Sequence, residues 1–195
     1  MAVAPFEIVA GPATVYIGPI GEAFPVIDLD PPGGNWTDIG RTEGGVTVAV
    51  NQTANLIRAD QATGPLKAIR SEEEVRISFS FADLTVENFA RAINDNTVTD
   101  TAAASMVAGH RAVFLFQTDV VAQVAMLIRG PSPYRNAFLQ FELPVVSQIG
   151  NPEASFTKDD KAILAVEYVS LEDQAASTPA ERFGTLRAED ENALP

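Results

Sequence analysis

The sequence predicts a mainly β protein, a sandwich or barrel of short strands with one flanking helix. Short runs of β-branched and aromatic residues recur along the chain, separated by Gly, Pro, Asn and Asp. One run alternates apolar and polar residues at period two, and only one segment has the apolar spacing of an amphipathic helix. With 195 residues and 46% hydrophobic content, the chain can build one compact domain with a core.

The clearest strand spans residues 74–82. Its apolar residues are Val75, Ile77, Phe79 and Phe81, and they alternate with Arg76, Ser78 and Ser80. Successive side chains of a strand point to opposite faces of the sheet, so one face of this strand is predicted to be core. The other face meets water or a polar partner.

The predicted helix covers about residues 84–94 and directly follows this strand. Thr85 is a suitable N-cap, and Leu84 can pack against Phe89 in the first turn. The residues that follow place apolar side chains on one stripe, which predicts a helix that covers one side of a sheet. The run 94–96, Asn-Asp-Asn, ends the helix because Asn tolerates left-handed backbone geometry.

A long arm is predicted at about residues 52–71, where the strand pattern weakens and a Gly-Pro pair marks the tip. A hairpin or loop of this length in a compact domain usually serves function or a partner. We predict that its apolar residues contact a neighbouring subunit, with the alternative that they pack on their own domain. These residues are Leu56, Ile57, Leu66 and Ile69.

The second half of the chain is predicted to hold a polar linker at 97–109 and then four strands. These are Arg111–Gln117, Val120–Arg129, Asn136–Val146 and Ala162–Leu171. The first two are expected to pair with each other. Pro144 lacks a backbone N–H and places the third at a sheet edge or a bulge. The last strand is apolar on both faces and is expected to be central.

The domain organisation follows from a change in composition. Residues 1–171 are predicted to form a single β domain that includes the arm. Residues 172–195 are rich in Ala, Glu, Ser, Thr and Pro, and they are predicted to form a C-terminal extension that is flexible unless assembly holds it.

The sequence offers no catalytic, cofactor-binding or metal-binding set. The chain has no cysteine and one histidine, His110, which excludes thiolate sites and leaves a surface position as the simplest reading of the histidine. Asp and Glu outnumber Lys and Arg by 26 to 13, and a net charge of -13 disfavours binding to nucleic-acid phosphates. We expect a soluble protein made in the cytoplasm, since neither a secretory signal nor a membrane span is visible.

The order of elements in the first half carries a resemblance. The turn Trp36–Gly40 leads to the strand that starts near Gly44, then to the arm, the acidic run Glu72–Glu74, the alternating strand and the capped helix. Over about residues 13–96 this order resembles the major tail tube proteins of long-tailed bacteriophages and of gene transfer agents. The second half matches that family only in strand content and length.

The resemblance implies a structural virion protein rather than an enzyme. Copies of the family assemble into rings of six that stack into a tube, and DNA passes through its lumen without specific binding. Expected partners are a tape measure protein, a tail terminator and distal tail proteins. The expected location is the virion tail, assembled in the host cytoplasm, with no membrane insertion by the protein itself.

Four polar residues are candidates for the surface that lines such a lumen: Ser78, Ser80, Gln140 and Glu142. The acidic charge of the chain suits a lumen that repels phosphate.

Three alternatives stay open from the sequence. One is the inner tube of a contractile injection system, which shares the fold. Another is a β-sandwich module that binds carbohydrate or decorates a capsid, although one Trp and three Tyr provide little material for an aromatic platform. The third is a carboxylate-based hydrolase, which a pocket with paired acids would support.

Overall fold

A computed structural model describes residues 9 and 11–189, apart from 29, 31, 62, 117, 118, 135, 136, 157, 159 and 160. It contains eleven strands, one α-helix and a 3-10 turn. In chain order these elements are β1 (Thr14–Gly18), β2 (Thr37–Asp38), β3 (Thr42–Ile57), β4 (Lys67–Phe81), α1 (Val86–Asn94), β5 (Val98–Thr101), β6 (His110–Val113), β7 (Gln123–Pro131), β8 (Phe138–Gln148), β9 (Glu153–Ser155), β10 (Ile163–Ser170), the turn Pro179–Glu181 and β11 (Thr185–Ala188).

Nine of the strands form one antiparallel sheet, and β5 and β6 form a separate hairpin. The main path of the sheet is β2-β1-β7-β8-β10-β4-β3, with β11 added to β8 and β9 added to β10. The prediction of a mainly β fold with one flanking helix is confirmed. The sheet does not close into a barrel by hydrogen bonding; instead residues 39–41 join its two end strands, β2 and β3, along the chain.

A single large core lies on the inner face of this sheet. It takes side chains from β1, β4, β7, β8, β10 and α1, which means that the sheet curves around it. The predicted alternation in β4 is confirmed, because Val75, Ile77, Phe79 and Phe81 are all buried there. Phe79 stacks at 6.0 Å on the ring of Tyr168 in β10.

Helix α1 begins and ends as predicted. The side chain of Thr85 accepts a hydrogen bond from the backbone N–H of Asn88 at 3.2 Å, which caps the first turn. Asp95 ends the helix in the left-handed conformation, with φ of 50°. The helix packs beside the seam between the two end strands of the sheet, where Asn88 reaches the backbone of Ile39.

The middle of the chain differs from the prediction. Residues 98–101, within the predicted linker, form strand β5, and β6 pairs with β5 rather than with β7. The partners of β7 are β1 and β8, because its largely buried side chains need a covered position in the sheet. The β5–β6 hairpin is mostly exposed, so its sequence lacks the alternation of apolar and polar residues that predicts a half-buried strand. Gln117, the predicted end of that strand, lies outside the described residues.

Strand β8 is central, and its proline marks an irregularity. Between Val124 and Met126 the register with β7 shifts, so that Pro144 and Val145 together lie opposite one residue of β7. The predicted bulge is confirmed, and the predicted edge position is wrong. On its other side, β8 pairs with β11 through residues 139–142 and with β10 through residues 146–148. Pro144 falls between these two pairings, where no backbone N–H is required.

The C-terminal segment is part of the sheet in this structure. Thr185 lies opposite Glu142 in the β11–β8 pairing, and Ser170 donates its hydroxyl to the carbonyl of Phe183 at 2.9 Å. Whether residues 172–195 behave as a separate extension stays a prediction.

Strand register gives the sheet two distinct ends. The β3–β4 hairpin continues outward at one end, which also holds Ser170, Phe138 and Pro131; we call it the arm end. In the opposite strand direction β4 ends at Phe81 and β7 begins at Gln123, and helix α1 follows directly from β4; we call this direction the helix end.

Candidate assembly surfaces

The arm is a hairpin that leaves the body of the domain, with one register shift between Thr53 and Ala54. Its strands stay paired out to Ile57 and Lys67, and the described residues from Asn51 to Glu73 are exposed except for Ala59. The paired residues 52–57 alone extend it by about 20 Å. Such a hairpin adds no packing to its own core, so its stability outside the sheet depends on what it contacts.

The four predicted contact residues all lie on this arm and are 45–65% exposed. None of them belongs to either hydrophobic cluster. Their positions alternate, which places Leu56 and Leu66 on one face of the hairpin and Ile57 and Ile69 on the other. The arm therefore presents apolar side chains on both of its faces. Their role in subunit contact stays a prediction.

Strand β3 forms an open edge of the sheet. Its partner is β4 on one side, and over the described residues no strand pairs with its other side. The strand runs for 16 residues, far longer than the two-residue β2 at the other end of the path. Long unpaired edges offer a row of backbone donors and acceptors to another chain.

The outer face of β3, β4 and β10 is polar and uncovered. Arg76 bridges two carboxylates there, at 2.6 Å to Glu74 and 2.7 Å to Glu167. Ser78 is exposed and Ser80 is half-buried on the same face of β4. The hydrogen bond from Arg76 holds the pKa of the Glu74 carboxyl below its usual range, and the two acids raise the pKa of Arg76. The face is therefore charged at neutral pH.

The other two predicted lumen residues do not lie on an exposed surface of this chain. Gln140 is 0% and Glu142 3% exposed, since the loop at residues 24–26 covers them. Gln140 donates to the carbonyl of Pro25 at 3.1 Å and to Glu142 at 2.7 Å. A residue that lines a lumen has to reach water, so this part of the prediction does not fit the single chain.

This covered face contains a buried polar network. Arg129 donates to Gln140 Oε1 at 2.6 Å and stacks over the ring of Phe138 at 5.3 Å. Arg187 of β11 lies 3.0 Å from the second carboxylate oxygen of Glu142. The network satisfies polar side chains that would otherwise be costly to bury.

The tryptophan of the sequence motif anchors the covering loop. Trp36 is buried, its ring stacks at 5.1 Å on Phe24, and its indole N–H donates to the carbonyl of Ala23 at 3.1 Å. A Cβ on Gly18 would meet the Trp36 ring at 3.1 Å, so a glycine beneath it allows the close approach.

No catalytic arrangement emerges from the described part of the chain. No group of three His, Asp or Glu side chains there could hold a metal ion. Hydrogen bonds lower the pKa of Glu22, Glu87 and Glu172, the first through Asn35 and the last through Arg182. Among described carboxyl groups, every resolved shift is thus downward, opposite to the raised pKa that a general acid needs. Over the same residues, no helix has the length and apolarity to cross a membrane.

Sequence reasoning missed an exposed apolar segment at the helix end. Phe114, Leu115, Phe116, Val120 and Val121 are all more than half exposed. Within the sequence they read as strand residues, since periodicity cannot separate an apolar run that is buried from one that is displayed. The signal in the sequence that could have identified this exposed segment is a run of three large apolar residues followed closely by two valines.

Comparison with known proteins finds a resemblance of shape. Neither a family model nor a curated protein matches this sequence. Among solved structures, the chain is similar to one from the cryo-EM structure of the anti-feeding prophage (AFP) baseplate, 6-fold symmetrised. The match covers 97% of this chain and 98% of that one, at 8% sequence identity and a TM-score of 0.47.

Proposed function

We propose that this chain is a structural subunit that assembles with copies of itself into stacked rings, forming a tail tube of the long-tailed phage type. The observation that carries the proposal is the arm. It is a paired hairpin about 20 Å long that displays apolar side chains on both faces and contributes none to the core. In water such surface is costly, and a second subunit is the simplest way to cover it.

The open edge of β3 supports the same proposal. In a ring, each subunit can satisfy the edge of its neighbour by backbone hydrogen bonding. A ring closed in this way leaves no free edge, which also limits uncontrolled aggregation.

The polar outer face of β4 and β10 suits a lumen through which DNA passes. Carboxylates of Glu74 and Glu167 lie there; Ser78 lies opposite Glu167, and Ser80 adds uncharged polar surface further along β4. A face of this kind in a chain of net charge -13 repels phosphate and gives DNA no strong attachment. Arg76 does not reverse this, since both of its carboxylate partners neutralise it.

Rings of six, the virion tail as location and the partner proteins named above come from the sequence resemblance. The inner tube of a contractile injection system would need the same surfaces. The order of elements in residues 13–96 is what favours the long-tailed phage type.

The test removes the arm without disturbing the domain. Gln52 and Glu73 lie opposite each other, so replacing residues 53–72 by Asn-Gly joins the two strands through a two-residue turn. We expect this variant to keep the thermal midpoint of the full chain, because the arm adds nothing to the core. Sedimentation velocity should show that large assemblies of the full chain are lost.

A matched control changes an exposed apolar residue elsewhere. Val26→Ser removes an exposed side chain that does not lie on the arm, and it should leave assembly unchanged. If the arm-shortened variant assembles as well as the full chain, the arm is not an assembly element and the proposal loses its main support.

A further inference from the structure

The exposed apolar segment at the helix end is a displayed surface that the proposed function has not used. We call it the apolar loop: Phe114, Leu115, Phe116, Val120 and Val121. The three consecutive residues are 72–81% exposed. A contiguous apolar surface built on two phenylalanines marks an interaction site on a soluble protein.

The apolar loop is held in place by the end of helix α1. The side chain of Asn96 donates to the carbonyls of Phe114 at 2.8 Å and Phe116 at 3.2 Å. The side chain of Asn94 donates to the carbonyl of Val120 at 2.9 Å. One half of the loop is therefore tied to Asn94, the last residue of helix α1, and the other half to Asn96, two residues beyond it. A surface fixed in this way loses little conformational freedom when it is covered.

The arm and the apolar loop leave the sheet in opposite strand directions. Strand β7 runs antiparallel to β4, and the loop precedes the start of β7 at Gln123, whereas the arm is formed by the start of β4. In register, Gln123 lies level with Val169 and Arg76, at the middle of β4 rather than at its end. Copies that stack along the strand direction bring the arm of one to the loop of the next. A contact between two different surfaces repeats without limit, as a stack of rings requires.

The charges around the two surfaces are complementary. Arg58 and Lys67 lie at the end of the arm together with one carboxylate, Asp60, and Arg70 further along is paired with Glu73 at 3.1 Å. The apolar loop is flanked by the exposed carboxylates of Asp95 and Asp119. The end of the arm thus carries a small net positive charge, which attracts it to the carboxylates beside the loop on another copy.

The ends of the described chain do not lie near the apolar loop. Gly11 lies against Pro131, and the backbone N–H of Glu189 donates to the carbonyl of Phe138 at 2.9 Å. Both positions are at the arm end of the sheet. Neither end of the described chain therefore covers the loop.

We infer that the apolar loop is the receiving surface for the arm of a second copy, stacked head to tail. The inference rests on the proposed function and deepens it by naming the surface that each arm contacts. The apolar side chains of the arm would cover Phe114 and Phe116 while Arg58 and Lys67 approach Asp119.

The absence of cysteine makes a clean cross-linking test possible. One population of the protein carries Thr63→Cys at the arm tip. A second population carries Thr97→Cys beside the apolar loop, together with a cleavable tag that makes its chain larger than the first. Both positions are exposed. After mixing and treatment with a short bismaleimide, we expect a cross-linked product that contains one copy of each. The matched control mixes Thr63→Cys with Ser177→Cys, two positions at the arm end. This mixture should give no cross-linked product.

A second variant separates assembly from folding. Phe114→Ser with Phe116→Ser should weaken self-association at least roughly tenfold, as expected when central apolar anchors are removed. Because both side chains are exposed, the thermal midpoint should match that of the Val26→Ser control. A lower midpoint would show that the chain itself covers the loop and would overturn the inference.

The outcomes distinguish the inference from the proposed function. Rings or tubes in electron micrographs, with the arm–loop cross-link formed, support both. Rings or tubes without that cross-link overturn the inference and leave the proposed function standing. Chains that stay monomeric at every concentration, and give no cross-link, overturn the inference and count against the proposed function as well.

Discussion

The side-chain amide of Asn88 donates a hydrogen bond to the carbonyl oxygen of Ile39 at 3.2 Å, across the seam where the sheet fails to close. The same amide donates to the carbonyl of Asp83 at 2.8 Å. Asn88 is buried, and Ile39 belongs to the core. One helical side chain thus links the segment that follows β2 to the segment that follows β4.

Asn88→Ala should destabilise the domain. The substitution removes the side-chain donor to the carbonyl of Ile39, a core residue, which costs about 1–3 kcal/mol of unfolding free energy. Urea unfolding measures the change. Asn51→Ala is the control, because its amide makes an exposed hydrogen bond of 3.4 Å to Glu74; equal effects of the two variants would contradict the role of the seam.

Gly184→Ala should destabilise the chain more than Gly21→Ala, a substitution at another glycine that also has a positive φ. Gly184 has φ of 122°, and a Cβ there would collide with the carbonyl of Glu142 and lie 2.9 Å from Leu143 Cδ2. Gly21 has φ of 81° with nothing within 4 Å of its Cβ position, so Gly21→Ala reports backbone strain alone. We expect Gly184→Ala to cost more than about 1 kcal/mol, and more than Gly21→Ala. Thermal unfolding of both variants checks this.

Arg187→Ala should loosen β11 from β8. Arg187 is the cation nearest to the buried carboxylate of Glu142, at 3.0 Å. Removing it leaves that carboxylate with fewer partners and should cost about 1–3 kcal/mol. Glu142→Gln removes the charge while keeping the shape, so Arg187→Ala should cost less in that background. Hydrogen exchange at residues 185–188 should rise in the single variant; unchanged exchange there would contradict the link between the ion pair and the strand.

Stability should fall as the solution becomes acidic. The pKa values of Glu22, Glu74, Glu87 and Glu172 are lowered in the folded chain. A lowered folded pKa means that stabilisation is full above the unfolded value, 4.5, and is lost as pH falls through the folded values. The urea midpoint should therefore be steady near neutral pH and decline below about pH 4.5.

The contribution of one of these groups can be isolated. Glu74→Gln should weaken the acid-induced decline, because the variant lacks the carboxylate whose protonation breaks the ion pair with Arg76. Asp60→Asn, at the exposed arm tip, is the matched control for removing one carboxylate. If the urea midpoint of Glu74→Gln falls with pH in the same way as that of Asp60→Asn, the prediction is contradicted.

The elements that were predicted correctly are those that local sequence determines. The alternation in β4 and the Thr85 cap of α1 depend on residues a few positions apart. The arm could be predicted because Gly64 and Pro65 interrupt a segment that has too few apolar residues to be core.

The elements that were missed depend on contacts between distant parts of the chain. Alternation shows that Gln140 and Glu142 share a face, but it cannot show that Pro25, more than a hundred positions away, covers them. The pairing of β5 with β6 is similarly hidden, because a hairpin that stays exposed needs no apolar stripe. The apolar loop was missed since its exposure comes from the way Asn94 and Asn96 hold it.

The most direct test of the central claim is negative-stain electron microscopy of the purified full chain over a range of concentrations. Self-assembly through the arm predicts rings or hollow tubes at high concentration, and their absence when residues 53–72 are replaced by Asn-Gly. Monodisperse single copies at every concentration, or tubes that form equally well without the arm, would contradict the account.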